Sequence, residues 1–441
     1  MEGIDLTGAG NHPSFELLVI GCGGGPLESN LSCYLVKSKE SRWNEGCAAL
    51  EGGSSLGAIA TLFERTPRSF RGFGLGTDEK REFGVADGLS GGKAAGKVWE
   101  MIKTFSISHA HLDHVSGLVL SSAACTTTKT VYGLESTLAN LEKVMDWMNW
   151  PNLGTREIGS IPGKAYTWRE IKTEHSYEIC ESLSMSALPL SHGSDPRHPL
   201  SYESTAFFVR NSNTSREFLF LGDVEPDSIS ARPLTRKVWE VAAIKIVSNQ
   251  LNLVFLECSY PNSQPTDKLF GHLKPQFVLE ELRILGECVN EERGKRKLEK
   301  LVSPLEGIHV IIQHIKDDIF SPPPASFPEP LKARKAHEPL DTQSLSIAAL
   351  TMSPPIATIP LRRPSLQLSY SPSLTAFPRS SPGLEFRPPA TTAEEDEYDE
   401  EIDTVEETVH ERIERELNEG ENEIKTGVRF VIACQGMRLT F

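Results

Sequence analysis

Positive charge is scarce in this chain: 45 Lys and Arg stand against 60 Asp and Glu, a formal net charge of -15 over 441 residues. A large nucleic-acid footprint needs clustered Lys and Arg to displace counterions, so no nucleic-acid partner is expected, although a local metal-lined cleft could still take one small phosphate. Long apolar runs are also missing. None approaches the roughly 18 residues of a membrane span, and the opening MEGIDLTGAGNHPSF has acidic residues and no apolar leader segment, so a cytoplasmic protein without a membrane partner is expected. Paired cysteines are absent too. The eight thiols, at 22, 33, 47, 125, 180, 258, 288 and 434, stand singly, which excludes a densely stapled secreted domain and reads as reduced, mostly buried cysteine.

What is present is a strand-rich first three hundred residues. FELLVIG (15 to 21), SCYLVKS (32 to 38), KTFSIS (103 to 108), KTVYG (129 to 133), TAFFVR (205 to 210), EFLFLGD (217 to 223), LNLVFLEC (251 to 258) and GIHVIIQH (307 to 314) are β-branched or aromatic and bounded by turn residues. Helical patterns lie between some of them, at 136 to 148 and at 275 to 288, the latter with Pro275 suited to a first turn. Strands alternating irregularly with helices imply an α/β or α+β sandwich of sheets and covering helices, with polar residues gathered at strand ends.

Residues 321 to 390 break the pattern: they hold 15 of the 29 prolines, many serines and no sustained period, and eight acidic residues follow between Glu394 and Asp403. This composition cannot bury a core, so 321 to 403 is read as a disordered insert, with SPS, RRPS and PRSSP resembling kinase-accessible segments. Order is expected to return from 404 to 441. Ile402, Val405, Val409, Ile413 and Leu417 trace one helix face with Gly420 as its stop, and GVRFVIACQGMRLTF is strand-like. Residues 1 to 320 are thus expected to form a catalytic domain that 404 to 441 completes.

The stretch HAHLDHVSG (109 to 117) concentrates three histidines and an aspartate after an apolar strand. Were the strand to continue, His109 and His111 would leave on one face, and Asp113 and His114 would turn the corner in the following loop. Imidazoles with a carboxylate can face two metal ions a few ångströms apart, and a bridging carboxylate lets the cations sit close. A solvent loop has no need of this density of histidine.

HAHLDHVSGLVLSSA (109 to 123) resembles the signature of class II cyclic-nucleotide phosphodiesterases in the metallo-β-lactamase superfamily. GCGGGPLESNLSCYLV (21 to 36), PLSHG (189 to 193), FLGDVEPDSIS (220 to 230), LECSYPN (256 to 262), FGHLKPQ (270 to 276) and IIQHIKD (311 to 317) resemble its other motifs, across nearly the whole chain outside the insert. The resemblance implies a metallo-β-lactamase-like αββα sandwich. It implies one ion on His109, His111 and His192, a second on Asp113, His114 and His314, and Asp223 as the bridge, with Asp113, Glu257 and His272 as catalytic residues. Two divalent ions are implied, zinc first, with manganese, iron or magnesium able to substitute, along with a small-molecule cyclic nucleotide as partner and a homodimer.

Each later residue also has a local reading. His192 and His314 close apolar runs, and Asp223 follows Gly222 at a strand end, where it could equally cap a turn. Glu257 lies inside an apolar strand, and a buried carboxylate needs a partner. The resemblance makes His272 that partner and the proton donor to the leaving oxygen, the alternative being a structural ion pair. GCGGGP lacks the P-loop spacing and is expected to form a tight turn beneath the metals. Glu51 in LEGG stands where many superfamily members carry Asp-Gly. Ser191, Asp195, Arg197 and His198 could touch a nucleotide, although a solvated loop explains them as well.

The activity so implied is hydrolysis of a 3',5'-cyclic nucleotide, cAMP above all, to the 5'-monophosphate. An RNA 3'-end endonuclease of the same superfamily shares the histidine cluster, but the acidic balance and lack of a basic arm count against it. A non-catalytic interaction protein acting through the insert is the reading from another class, and the full ligand set argues against it.

Overall fold

Strands with apolar residues at every position can be buried on both faces, and this chain uses them to build two sheets packed face to face. The computed structural model describes residues 3–7, 12–76, 89–159, 161–173, 175–194, 201–317 and 407–441. The first half supplies β1 (Ile4–Asp5), β2 (Phe15–Gly21), β3 (Cys33–Ser38), β4 (Cys47–Leu50), α1 (Leu56–Arg65), α2 (Gly91–Met101), β5 (Ile102–Ser106), α3 (Leu112–Ser121), β6 (Lys129–Gly133), α4 (Glu135–Val144), β7 (Gly154–Thr155) and β8 (Tyr166–Glu170). The second supplies β9 (Tyr177–Cys180), β10 (Leu183–Ser191), β11 (Glu203–Asn211), β12 (Glu217–Leu221), α5 (Thr235–Val247), β13 (Leu251–Glu257), α6 (Pro275–Lys295) and β14 (His309–Gln313). It ends with α7 (Val409–Ile424), β15 (Arg429–Ile432) and β16 (Arg438–Thr440).

The sheets run in the orders β1-β16-β2-β3-β4-β5-β6-β8-β7 and β15-β14-β13-β12-β11-β10-β9. Alternation along each strand sorts side chains between layers. Phe218, Phe220, Leu253, Phe255 and Ile311 of the second sheet meet Leu17, Val19, Tyr34 and Val36 of the first. Their neighbours Leu219, Leu221, Val254, Leu256, Val310 and Ile312 turn outward beneath α5, α6 and α7. Leu18, Ile20 and Leu35 of the first sheet turn outward beneath α1, α2 and α3. The result is the αββα sandwich expected, with strands buried on both sides. No helix among the described residues is long and apolar enough to cross a membrane.

The C-terminal segment divides between the layers: β15 extends the second sheet beside β14, while β16 slots between β1 and β2 of the first. Thr408 and Glu411 close a reciprocal capping box at the start of α7. Gly420 is not the stop expected, because the helix continues to Ile424 and ends on Lys425 at φ 54. A side chain at Gly420 would come within 2.1 Å of Leu279 on α6, so the glycine serves close helix packing. Ile402, Val405 and the insert with its phosphorylation-like motifs lie outside the described residues.

Topology fixes where chemistry can sit. Strands β12, β13 and β14 are mutually parallel, and β10 points the same way because two antiparallel steps separate it from β12. Their carboxyl ends therefore share one rim, the usual place for a ligand crevice in open sheets.

Candidate metal centre

Each strand on that rim delivers one polar side chain. His192 directly follows β10, Asp223 lies just beyond β12, Glu257 is the last residue of β13 and His314 directly follows β14. From the other sheet, β5 ends at Ser106, before HAHLDH. His109 and His111 therefore leave from the connecting turn, His111 is the N-cap of α3, and Asp113 and His114 lie in its first turn, where a helix favours a carboxylate. This corrects the expectation of a continuing strand and a following loop. The helix brings Asp113 and His114 to the rim together.

Asp223 is the point of convergence. Its Oδ2 lies 3.2 Å from Nε2 of His114, His272 and His314 and 3.7 Å from Nε2 of His109 and His192. His111 Nδ1 stands 3.0 Å from His109 Nε2 and 3.2 Å from His192 Nε2. His314 Nε2 stands 3.2 Å from Asp113 Oδ2 and 3.1 Å from His114 Nε2. The donor atoms of His109, His111 and His192 form one group within 4.8 Å, those of Asp113, His114, Asp223 and His314 a second, and those of His192, Asp223, Glu257 and His272 a third.

The nitrogens that face away from the cluster are held. His192 Nδ1 donates to the Gly271 carbonyl at 2.8 Å, which leaves its Nε2 lone pair pointing inward. His109 Nδ1 lies 2.9 Å from Ser108 Oγ and His314 Nδ1 lies 3.0 Å from Ser259 Oγ. His114 Nδ1 makes no hydrogen bond among the described residues but faces Oε2 of the fully buried Glu51 at 3.4 Å, an ion-pair contact. Nitrogen lone pairs packed this close repel one another unless a cation or proton lies among them, so the donor set fits divalent metal ions.

Burial and neighbouring charge act on the cluster together. Burial works to raise Asp223, but His114 and His314 outweigh it and hold its carboxyl well below the ordinary range. Burial, followed by adjacent imidazoles, keeps His109 well below the usual histidine value, the neutral state a metal requires. His192 is likewise held low by burial, with His272 and His111 adding to the effect. Glu257 is pushed up to about 7 by burial. His272 is raised despite its burial by the charges of Glu257 and Asp223.

The expected direct bond between Glu257 and His272 is not formed. His272 Nδ1 donates to the Leu269 carbonyl at 2.9 Å and its Nε2 faces Asp223. Glu257 accepts from Val224 N at 2.8 Å, Leu273 N at 3.3 Å and Ser259 Oγ at 2.7 Å. One carboxylate thus pins the residue after Asp223, the residue after His272 and the serine behind His314. Sequence reasoning missed Ser259, although its place two residues past Glu257 was the available signal. Ser108 and Lys316 were missed as well. Lys316 Nζ lies 3.9 Å from Asp113 Oδ2 and donates to the Gly24 carbonyl.

The glycine-rich turn lies beneath the centre, as its spacing suggested. A side chain on Gly24 would meet His314 Nδ1 at 2.5 Å, and Gly24 N donates to the Ile315 carbonyl. Ser191 turns away from the ligands to hydrogen-bond Glu225. Asp195, Arg197 and His198 lie outside the described residues.

Comparison with known proteins gives a concordant result. Residues 25–349 match the family described as cAMP phosphodiesterases class-II. The chain is 33% identical over 279 residues to the 3',5'-cyclic-nucleotide phosphodiesterase of Schizosaccharomyces pombe, covering 63% of this chain and 76% of that protein. It is 30% identical over 305 residues to that of Aliivibrio fischeri, covering 69% and 82%. Its fold is that of unliganded yeast PDE1, with a TM-score of 0.65 at 19% identity over 98% of this chain and 100% of the other.

Proposed function

The chain belongs to the class-II family of 3',5'-cyclic-nucleotide phosphodiesterases, and on that premise we propose that it hydrolyses cAMP, with cGMP as a second substrate, to the 5'-monophosphate at a two-metal centre and so lowers a cytoplasmic cyclic-nucleotide signal. In this reading His109, His111 and His192 would hold one ion and Asp113, His114 and His314 the other, with Asp223 placed to serve both. Zinc suits this imidazole-rich set best, with manganese, iron or magnesium as substitutes. When bound, the two cations supply positive charge for the phosphate oxygens and lower the pKa of the attacking water.

The remaining roles belong to the protein. Asp113, the ligand carboxylate with 22% of its side chain exposed, accepts a hydrogen bond from the attacking water and aligns it. His272 has its Nδ1 proton committed to Leu269, so protonation at Nε2 makes it a charged donor aimed at the centre, where it delivers a proton to the leaving O3'. Glu257 supports that charge from within 4.8 Å and keeps Asp223, His272 and His314 in register. Residues 1–320 with 404–441 form the catalytic unit in this reading, 321–403 is an insert, and the active form is a homodimer.

The observation that carries the proposal is the convergence of five imidazoles on one oxygen of Asp223. Replacing Asp223 or His111 with Ala is expected to abolish cAMP turnover while circular dichroism stays that of the folded protein, and precursor tRNA assayed alongside is expected to survive intact. Retained cAMP hydrolysis in either variant refutes the assignment.

A further inference from the structure

Beside the cluster lies a cavity that none of these steps uses. Tyr202 stacks on His111, with ring centroids 4.4 Å apart and planes 11° from parallel. Its hydroxyl faces the Ala110 backbone and the Asn140 side chain. Tyr202 also lines a cavity of about 650 Å³, together with Ser136, Thr137 and Asn140 from α4, Ser201, Glu203 at the start of β11, and Arg232. That volume falls within the roughly 300–1,000 Å³ of small-molecule sites.

The lining chemistry is specific. Arg232 Nη1 and Glu203 Oε1 pair at 2.9 Å, and Ser136 Oγ donates to Glu203 Oε2 at 3.0 Å. The single positive and single negative charge cancel, so the cavity favours neither a second phosphate nor a cation. An amide, three hydroxyls, an ion pair and an aromatic ring instead suit a neutral heteroaromatic base bearing a sugar. Asn presents a donor and an acceptor side by side, the pattern that pairs with adenine N6 and N7, and a tyrosine ring gives a base a stacking surface. Asn140 is held by the Tyr202 hydroxyl and by the exposed Lys143, whose Nζ donates to its Oδ1 at 3.1 Å, and a ligand can displace the Lys143 contact.

We propose that this cavity is the purine-ribose subsite of the cyclic nucleotide, with Tyr202 as the wall between base and phosphate, and Asn140 and the Glu203–Arg232 pair reading the base and sugar edges. The inference rests on the cyclic-nucleotide reading of the metal centre and adds the residues that select its substrate. The rival surface is Phe270, which is 72% exposed at φ 53 beside Gly271, the residue whose carbonyl holds His192. An isolated phenyl ring would stack on any base without distinguishing one from another.

The test compares Asn140→Ala, Arg232→Ala and Phe270→Ala in the full-length, metal-loaded enzyme. Each is assayed for kcat and KM on cAMP and on bis(4-nitrophenyl) phosphate, which carries neither purine nor ribose. The ratio of kcat/KM for cAMP to that for the simple diester is expected to fall tenfold or more in the Asn140 and Arg232 variants, chiefly through KM for cAMP, and to stay within twofold in the Phe270 variant. Should Arg232→Ala not accumulate as folded protein, Arg232→Lys and Asn140→Ala carry the same comparison. Equal change on both substrates overturns the subsite, as does a ratio that falls only with Phe270→Ala. A wild type that cleaves the simple diester and no cyclic nucleotide overturns the reading of the centre itself, and that result appears before any variant is made.

Discussion

Ser259 places its hydroxyl 2.7 Å from Oε2 of Glu257, and 3.0 Å on its other side lies Nδ1 of His314. With His314 presenting Nε2 to the cluster, its Nδ1 proton is donated to the serine, whose own proton goes to the carboxylate. Ser259→Ala cuts this chain, frees His314, whose φ is 61, and leaves one oxygen of Glu257 with Leu273 N alone. Affinity for the metal proposed on the Asp113, His114 and His314 side is expected to fall roughly 10–100-fold, as for other residues that orient a ligand, and stability by about 1–3 kcal/mol. Competition with a chromogenic chelator measures the first and urea denaturation the second. An unchanged chelator titration refutes the relay.

His272 carries a different prediction, because its Nδ1 is fixed on Leu269 and only Nε2 is available for proton transfer. His272→Gln is expected to lower kcat on cAMP by about 10²–10⁴-fold while metal content remains that of the wild type. An alkoxide needs a proton to leave, whereas 4-nitrophenolate departs without one. The loss on a 4-nitrophenyl diester should therefore be at least tenfold smaller. Equal losses on both substrates would make His272 a structural residue.

Physical scale explains which of these relations could be read from the chain. Phe218, Phe220, Leu253 and Phe255 announced buried strands because packing on both faces demands apolar residues in succession. His109, His111, Asp113 and His114 announced a metal centre because their density has no other use. Their local structure was harder to read, since the ligand requirement replaces the usual capping residue with His111 and hides the start of α3. Glu257 illustrates the other limit. Burial required a partner, yet nothing local specified that Val224, Leu273 and Ser259 would supply it in place of His272. Gly420 failed as a helix stop for a similar reason, because its use depends on Leu279 from another helix.

Away from the centre, Glu281 on α6 accepts from the Trp239 indole at 2.7 Å and Asp227 N at 2.9 Å. Burial pushes its carboxyl up to about 7 from 4.5, against the pull of both donors. A carboxyl raised on folding binds its proton more tightly in the native state. Its contribution is complete below about pH 4.5 and is lost as pH rises through about 7, a difference of about 3 kcal/mol. Glu281→Gln removes this titration, so its stability relative to wild type should improve by about that amount between pH 5 and pH 8. Urea midpoints at both pH values measure the change, and parallel profiles for the two proteins contradict it.

The proposed insert can be tested because described residues on either side of it lie close together. Asp317 Oδ1 lies 3.8 Å from His410 Nδ1, so a short connection can span the flanks of 321–403. The entropic cost of closing a connection falls only logarithmically as it is shortened, a gain of about 2 kcal/mol for this exchange. Exchanging 321–403 for about six Gly and Ser residues, in the range of ordinary connections, is expected to keep kcat on cAMP within threefold and to raise the melting temperature slightly. Ending the chain at residue 404 has a different cost. It strips Ile413 and Leu417 from the core, removes β15 from the edge of one sheet, and takes β16 from between β1 and β2 in the other. It also exposes Phe15, which stacks on Phe441 at 5.1 Å. That truncation is expected to be insoluble, whereas the linker variant is soluble and active. If both variants lose activity to the same extent, the catalytic unit includes the insert and the proposed division of the chain is wrong.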